Sequence, residues 1–229
     1  MDQTTHSILH AIDLFGTASF AFSGALRAID RRPDFVGMVI LAGATAVGGG
    51  LLRDLILQRQ TFILTNGEYP LVIVLSVVIT FLFPRSVLRR ERVFKYFDAI
   101  GLGVFSALTA SALWQSPNAN PLSILFIATF AGCAGGVIRD VLINKPSLVL
   151  QNEVYVTPVV IGAAGLMAVR ACGGGEMPSF LTAMLLTTGI RCVAIRRDWR
   201  LPRLFFIHPD ETSSPQPGSP SAGSPRRDP

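Results

Sequence analysis

Arginine followed by aspartate occurs twice in this chain, each time behind a run of small residues: Gly48-Gly49-Gly50-Leu51-Leu52-Arg53-Asp54 and Ala134-Gly135-Gly136-Val137-Ile138-Arg139-Asp140. A guanidinium beside a carboxylate can bind a zwitterion, line an aqueous path for ions, or brace an interior through ion pairs. The glycines add a second possibility. Each costs roughly 1 kcal/mol relative to Ala inside a helix, and three together mark a natural kink or unwound point. Carbonyls freed there make cation ligands, provided that protein or a water-filled cavity receives them. The competing reading is close packing, since Ala46-x-x-x-Gly50 and Gly132-x-x-x-Gly136 are small-xxx-small patterns that let helix backbones approach.

The charges favour a functional reading over packing alone. An Arg or Asp facing lipid at mid-depth costs at least ~2.5–3.5 kcal/mol. Neighbours on a helix point about 100° apart, so pairing is expected between helices, Arg53 with Asp140 and Arg139 with Asp54. These groups then line or gate a path, with bracing of the bundle as the structural alternative. Asp13 and Asp98 lie just inside apolar stretches, either capping a buried helix start or lending negative potential to a vestibule. Thr45, one turn before the first glycine run, is a candidate pore hydroxyl, and Thr129 a weaker one. Glu68 and Glu153 belong at helix starts, where carboxylates meet the positive end of the dipole. His6, His10 and His208 form no constellation. Cys133, Cys172 and Cys192, odd in number and without ligand spacing, suit neither a disulfide framework nor a metal site.

The elements that must carry these residues are membrane helices. Half of the 229 residues are hydrophobic and only 15% are charged, against about a quarter in a soluble domain. Mean hydropathy is +0.48. Apolar blocks fall at 8–28, 35–57, 68–84, 94–114, 121–143, 154–171 and 178–195, each about the 17–25 residues that cross a bilayer. The N-terminus lacks the basic region of a cleavable signal. Basic residues cluster on alternate connections: Arg27, Arg31 and Arg32; Arg85, Arg89, Arg90, Arg92 and Lys95; Lys145; and Arg191, Arg196, Arg197, Arg200 and Arg203. By the positive-inside rule that side is cytoplasmic, which puts the N-terminus outside and the C-terminus inside a cell inner membrane. The same charges suit anionic lipid and make a nucleic-acid partner unnecessary. No Walker loop, HExxH or GxSxG motif is present, so no enzyme is expected and no cofactor is called for.

Landmarks recur at a fixed spacing. Asp13 answers to Asp98, Gly49-Gly50-x-x-Arg53-Asp54 to Gly135-Gly136-x-x-Arg139-Asp140, and Glu68 to Glu153. Three spans per repeat invert the second copy across the membrane, the plan of transport proteins with a site near the midplane. The fold class expected is an all-α polytopic membrane protein, two inverted three-helix repeats plus a seventh helix, with helices 2 and 5 kinked. Residues 1–7 form an extracytoplasmic segment, 8–90 and 91–173 the repeats, 174–203 the seventh helix and its basic end, and 204–229 a Pro/Ser-rich disordered cytoplasmic tail.

With these motifs in hand, residues 8 to about 200 resemble the trimeric intracellular cation (TRIC) channels, and in particular a prokaryotic member. The resemblance implies a homotrimer with a pore in each protomer, chiefly between helices 2 and 5. It implies permeation of potassium, with sodium the second candidate ion. Carried onto this chain, the hinge glycines are Gly48, Gly49, Gly50, Gly135 and Gly136, and the charged pore residues Arg53, Asp54, Arg139 and Asp140. Ala134 stands where a third glycine is expected, which implies a stiffer second hinge. Two other readings stay open: a secondary transporter for a small amino acid such as glycine, with Arg for the carboxylate and Asp for the ammonium, and a non-transporting scaffold.

Overall fold

The chain is seen here in a computed structural model that describes residues 3–31, 33–82, 91–150 and 154–199. Glu153, Arg32, the arginines at 85, 89 and 90, His208 and the tail fall outside the described residues, as do the side chain of His6 and the expectations attached to them. The longer helices among the described residues are α1 Gln3–Ala28, α2 Phe35–Ile56, α3 Glu68–Leu82, α4 Glu91–Trp114, α5 Pro121–Leu142, α6 Val156–Ala171 and α7 Glu176–Arg197. Five are long and apolar enough to cross a membrane, while α3 and α6 are shorter, at 15 and 16 residues. The result is an all-α polytopic membrane fold.

Local chemistry sets where these helices start and stop. Asp34 caps α2 by accepting from the Gly37 amide at 2.7 Å. Asn120 and Ser123 form a reciprocal capping box at α5, with Pro121 at the first turn, where its missing N–H costs nothing. Both α2 and α5 stop the same way. Leu57 and Ile143 donate to the carbonyls of Arg53 and Arg139, and the next residues, Gln58 and Asn144, turn left-handed at φ 52° and 51°. The Arg59 and Lys145 amides then return to the carbonyls of Asp54 and Asp140, each at 2.9 Å. One repeat reproduces the other bond for bond, although Gln58 has neither the glycine nor the asparagine usual at such a position.

Helices α1 and α4 form the centre. Phe20 and Phe105, equivalent residues of the two repeats, stack on each other with centroids 5.4 Å apart. Glycines let the surrounding helices close on this pair: a Cβ at Gly16 would strike Val104, and one at Gly101 would strike Phe20. Helix α7 packs on α4 and α6, where a Cβ at Gly162 would lie 2.7 Å from the Ala183 carbonyl oxygen. The outward face is apolar. Leu55 on α2 and Leu122 on α5 are 75% and 77% exposed, which suits lipid and not water.

The glycine runs overturn one expectation. Helices α2 and α5 pass through Gly48–Gly50 and Ala134–Gly136 as unbroken α-helix, with no unwound point to free carbonyls. Their glycines instead bring the two backbones together. A Cβ on Gly49 would lie 2.5 Å from the Ala131 carbonyl oxygen, and one on Gly135 would overlap the carbonyl oxygen of Thr45, the residue equivalent to Ala131. As numbers rise along α2 they fall along α5, so the equivalent helices cross in antiparallel sense. Close packing therefore accounts for these glycines.

Candidate functional site

The Arg-Asp motifs sit at opposite ends of this glycine seam, in the last turns of α2 and α5. The expected cross-pairing does not occur. Arg53 Nε binds Asp54 Oδ1 at 2.8 Å, and Arg139 Nε binds Asp140 Oδ1 at 2.9 Å. Neighbouring side chains leave the helix in different directions, but the arginine stem is long enough to bring its guanidinium around to the carboxylate. The second oxygen of each aspartate has a separate task. Asp54 Oδ2 accepts the Phe62 amide and Asp140 Oδ2 the Leu148 amide, both at 3.1 Å. Each motif thus folds the chain leaving its helix back onto the helix end.

Beyond this shared pattern the two ends differ. Arg139 is fully buried. Its Nη1 donates to Asp98 Oδ1 at 2.5 Å and to Ser23 Oγ at 2.6 Å, and its guanidinium lies 5.2 Å from the centre of the Phe94 ring. Arg27 covers the same ring at 4.5 Å. Asp140, Ser23 and Phe94 give the buried arginine further partners, while Arg139 Nη2 and Asp98 Oδ2 have no hydrogen-bond partner among the described residues. Tyr155 lies beside the cluster, with the Arg191 guanidinium 4.7 Å over its ring, yet its hydroxyl has no hydrogen-bond partner among the described residues.

At the other end Arg53 keeps 12% of its side chain exposed; its one ion pair among the described residues is with Asp54, and its guanidinium lies 5.7 Å from the centre of the Phe62 ring. It faces a vestibule of about 400 Å³ lined also by Asp13, Asp54, His10, Tyr69 and Glu176. Asp13, 8% exposed, accepts from the Tyr69 hydroxyl through Oδ2 at 3.1 Å, while Oδ1 has no hydrogen-bond partner among the described residues. Asp13 and Asp98 lie well inside α1 and α4, not at helix starts, which removes the capping role for both. Of the two roles weighed for Asp13, the vestibule remains. His10, read from sequence as isolated, in fact contacts Glu68 at 2.9 Å beside Tyr69. Its spacing of one turn before Asp13 was the available signal, but the Glu68–Tyr69 pair that completes the group comes from a distant helix.

The hydroxyl of Thr45 is fully buried and donates to the Leu41 carbonyl at 2.6 Å, as Thr129 does to Leu125 at 2.7 Å. Gly48 borders a second groove between α2 and α5, about 560 Å³, with Leu51, Ala134 and Ile138. Gly50 packs on the Phe62 ring and Gly136 beside Tyr155 and Asp98. At Gly49 and Gly135 the backbones leave no room for an ion to pass between them. Among the described residues no group of His, Cys, Asp or Glu has the geometry to hold a metal.

A polytopic helical bundle that repeats an Arg-Asp motif, one copy lining a charged vestibule and the other buried at the opposite end, suits a membrane-transport protein. The chain belongs to the family described as Glycine transporter, which it matches over residues 10–85 and 95–175. It is 37% identical over 199 residues to a UPF0126 membrane protein of Vibrio cholerae, covering 86% of this chain and 82% of that one. It is 32% identical to the UPF0126 inner membrane protein YadS of Escherichia coli, covering 85% and 95%. Among solved structures, one from a study of conductance through TRIC cation channels aligns with TM-score 0.76 at 31% identity, over 86% of this chain and 97% of that chain. The TRIC orthologue of Rhodobacter sphaeroides aligns with TM-score 0.77 at 28% identity, over 84% and 100%. The TRIC resemblance drawn from the glycine and Arg-Asp motifs thus holds across nearly the whole fold.

Proposed function

We propose that the protein is a monovalent-cation channel, permeable to potassium, in which each protomer of a homotrimer carries its own path beside the α2–α5 seam. The observation that carries this reading is the likeness in fold and sequence to solved cation channels. The vestibule supports it: its lining sets Asp13, Asp54 and Glu176 against Arg53 and Arg59, a net negative charge that attracts cations and concentrates them at its mouth. The seven helices span an inner membrane as two inverted repeats, residues 8–90 and 91–173, followed by a seventh helix. The N-terminus is outside and the C-terminus inside, with anionic lipid at the basic cytoplasmic face. That orientation opens the vestibule to the outside and places Arg139 toward the cytoplasm. Gly48, Gly49, Gly50, Gly135 and Gly136 form the seam that must part for conduction, and Arg53, Asp54, Arg139 and Asp140 hold its ends.

The test is the purified full chain in a planar bilayer under a potassium chloride gradient. Unitary currents reversing near the potassium potential are expected, with lower conductance at low salt in Asp13→Asn. Silent bilayers from well-folded trimers refute the channel. A second reading, carriage of glycine, is favoured by the family description together with the vestibule's chemistry, since Arg53 suits a carboxylate and the Asp13 oxygen an ammonium. Saturable glycine uptake and counterflow in proteoliposomes, without unitary currents, would establish it.

A further inference from the structure

The two repeats hold the same four groups in two different arrangements. Around the vestibule, Asp13 takes its hydrogen bond from Tyr69, and Arg53 bonds to its own Asp54, not to Asp13, and lies over the Phe62 ring. At the opposite end, Asp98, the equivalent of Asp13, takes its bond from Arg139, and the hydroxyl of Tyr155, the equivalent of Tyr69, has no hydrogen-bond partner among the described residues. Each aspartate is served either by its tyrosine or by its arginine. At the buried end the two choices are neighbours: the Tyr155 hydroxyl and Asp98 Oδ1 flank the same point beside Gly136, 2.8 and 3.3 Å from where its Cβ would lie, so a small shift joins them.

We propose that these are two states of one latch, that Tyr69 and Tyr155 position it, and that the protein changes conformation by exchanging the states between its halves. In the second state Arg53 bridges to Asp13 and closes the vestibule, Tyr155 donates to Asp98, and Arg139 is released into a vestibule opened at the other end. Neither state is open at both ends, so conduction passes through the intermediate in which both aspartates are served by their tyrosines. Inverted repeats permit this exchange because each half can adopt the other's arrangement without any new fold.

The sequence also sets which state dominates. Arg139 has Ser23 and Phe94 as additional partners. The equivalent positions around Arg53 are Leu108 and Leu9, both lining the vestibule and neither able to bond a guanidinium. The Ser23 hydrogen bond to Arg139 has no counterpart at Arg53 and favours the arrangement seen here over the exchanged one, so the state seen here is the resting state.

The reporter is Leu26→Cys, in the full chain with Cys133, Cys172 and Cys192 replaced by Ala, reconstituted in lipid nanodiscs. Leu26 and its equivalent, Ser111, are 5% and 6% exposed, but Ser111 lines the vestibule whereas Leu26 borders neither that cavity nor the α2–α5 groove. In the exchanged state position 26 is wetted, so its labelling rate by a membrane-impermeant methanethiosulfonate follows the population of that state. Tyr69→Phe removes a hydrogen bond that only the resting state makes and should raise the rate about fivefold, the worth of one net hydrogen bond. Tyr155→Phe removes a bond that only the exchanged state makes and should lower the rate by a similar factor. General loosening of the fold cannot produce that decrease. Leu108→Ser, a substitution around the vestibule, gives Arg53 the hydroxyl that Ser23 gives Arg139 and should raise labelling at the far end. The proposal is overturned if the two tyrosine variants shift the rate in the same direction, in the reverse order or not at all. If a tyrosine variant does not assemble, an unchanged rate in Leu108→Ser overturns it instead. Labelling reads conformation, whatever solute permeates, so failure here is distinct from failure of the channel reading.

Discussion

Replacing glycine by alanine at two positions of the same helix separates packing from helix propensity. In α2, Gly43 has no atom closer than 3.9 Å to a Cβ built on it, and that atom is the tip of Ile73. Gly49 has the Ala131 carbonyl oxygen at 2.5 Å, a backbone atom that cannot turn away. Both substitutions gain about 1 kcal/mol of helix propensity. Only Gly49→Ala must push α5 aside, and overpacking of this kind costs about 1–3 kcal/mol. Propensity cancels in the comparison, leaving Gly49→Ala less stable than Gly43→Ala by that 1–3 kcal/mol. For a chain of this size, about 2–4 °C per kcal/mol makes the gap in Tm several degrees. Thermal unfolding in detergent micelles, followed by tryptophan fluorescence, measures it. If Gly49→Ala melts at or above Gly43→Ala, the α2 and α5 backbones are not in contact, and the unwound-helix account of the glycines returns.

The two Arg-Asp motifs should respond unequally to the same change. Asp140→Asn leaves a fully buried arginine with one carboxylate fewer and should cost about 3–5 kcal/mol, whereas Asp54→Asn beside the hydrated vestibule should cost about 1–2 kcal/mol. Equal losses in chemical denaturation would contradict the burial difference. Lys145 and Asp30 join two connections at 2.6 Å, but both side chains are substantially exposed, at 30% and 40%. Lys145→Ala should therefore cost less than about 1 kcal/mol, and the loss should shrink further in high salt. A larger, salt-independent loss would mean that the bridge is sealed from water.

Periodicity and repetition made the helices legible. Apolar blocks and paired landmarks placed all seven, because a bilayer demands long apolar segments and duplication leaves matching residues. The glycines were visible too, but their use was not. A glycine run reads equally as a break or as a contact, and only the carbonyls of Ala131 and Thr45 on the facing helices decide between them. The Arg-Asp pairing was misjudged for a related reason. Helix geometry fixes where a side chain starts, but the reach of an arginine and a loop folding back at Phe62 or Leu148 decide where its charge ends up. Thr45 gave no sign that its hydroxyl would turn to its own backbone four residues earlier, a common fate of threonine in apolar helices. The vestibule tetrad of His10, Asp13, Glu68 and Tyr69 joins α1 to the start of α3, a contact that no local pattern encodes.

At Gly49 and Gly135 the atom nearest to the missing Cβ is in each case a main-chain carbonyl of the facing helix, so the closest approach is backbone against backbone. Surfaces that do not interdigitate can slide or roll with no rotamer to unlock and no pocket to vacate. Motion between the halves therefore meets little resistance at mid-depth. Its speed is governed instead by the ion pairs at the two ends of the seam, which must break and re-form, so the middle of the molecule acts as a bearing and its ends as the brakes.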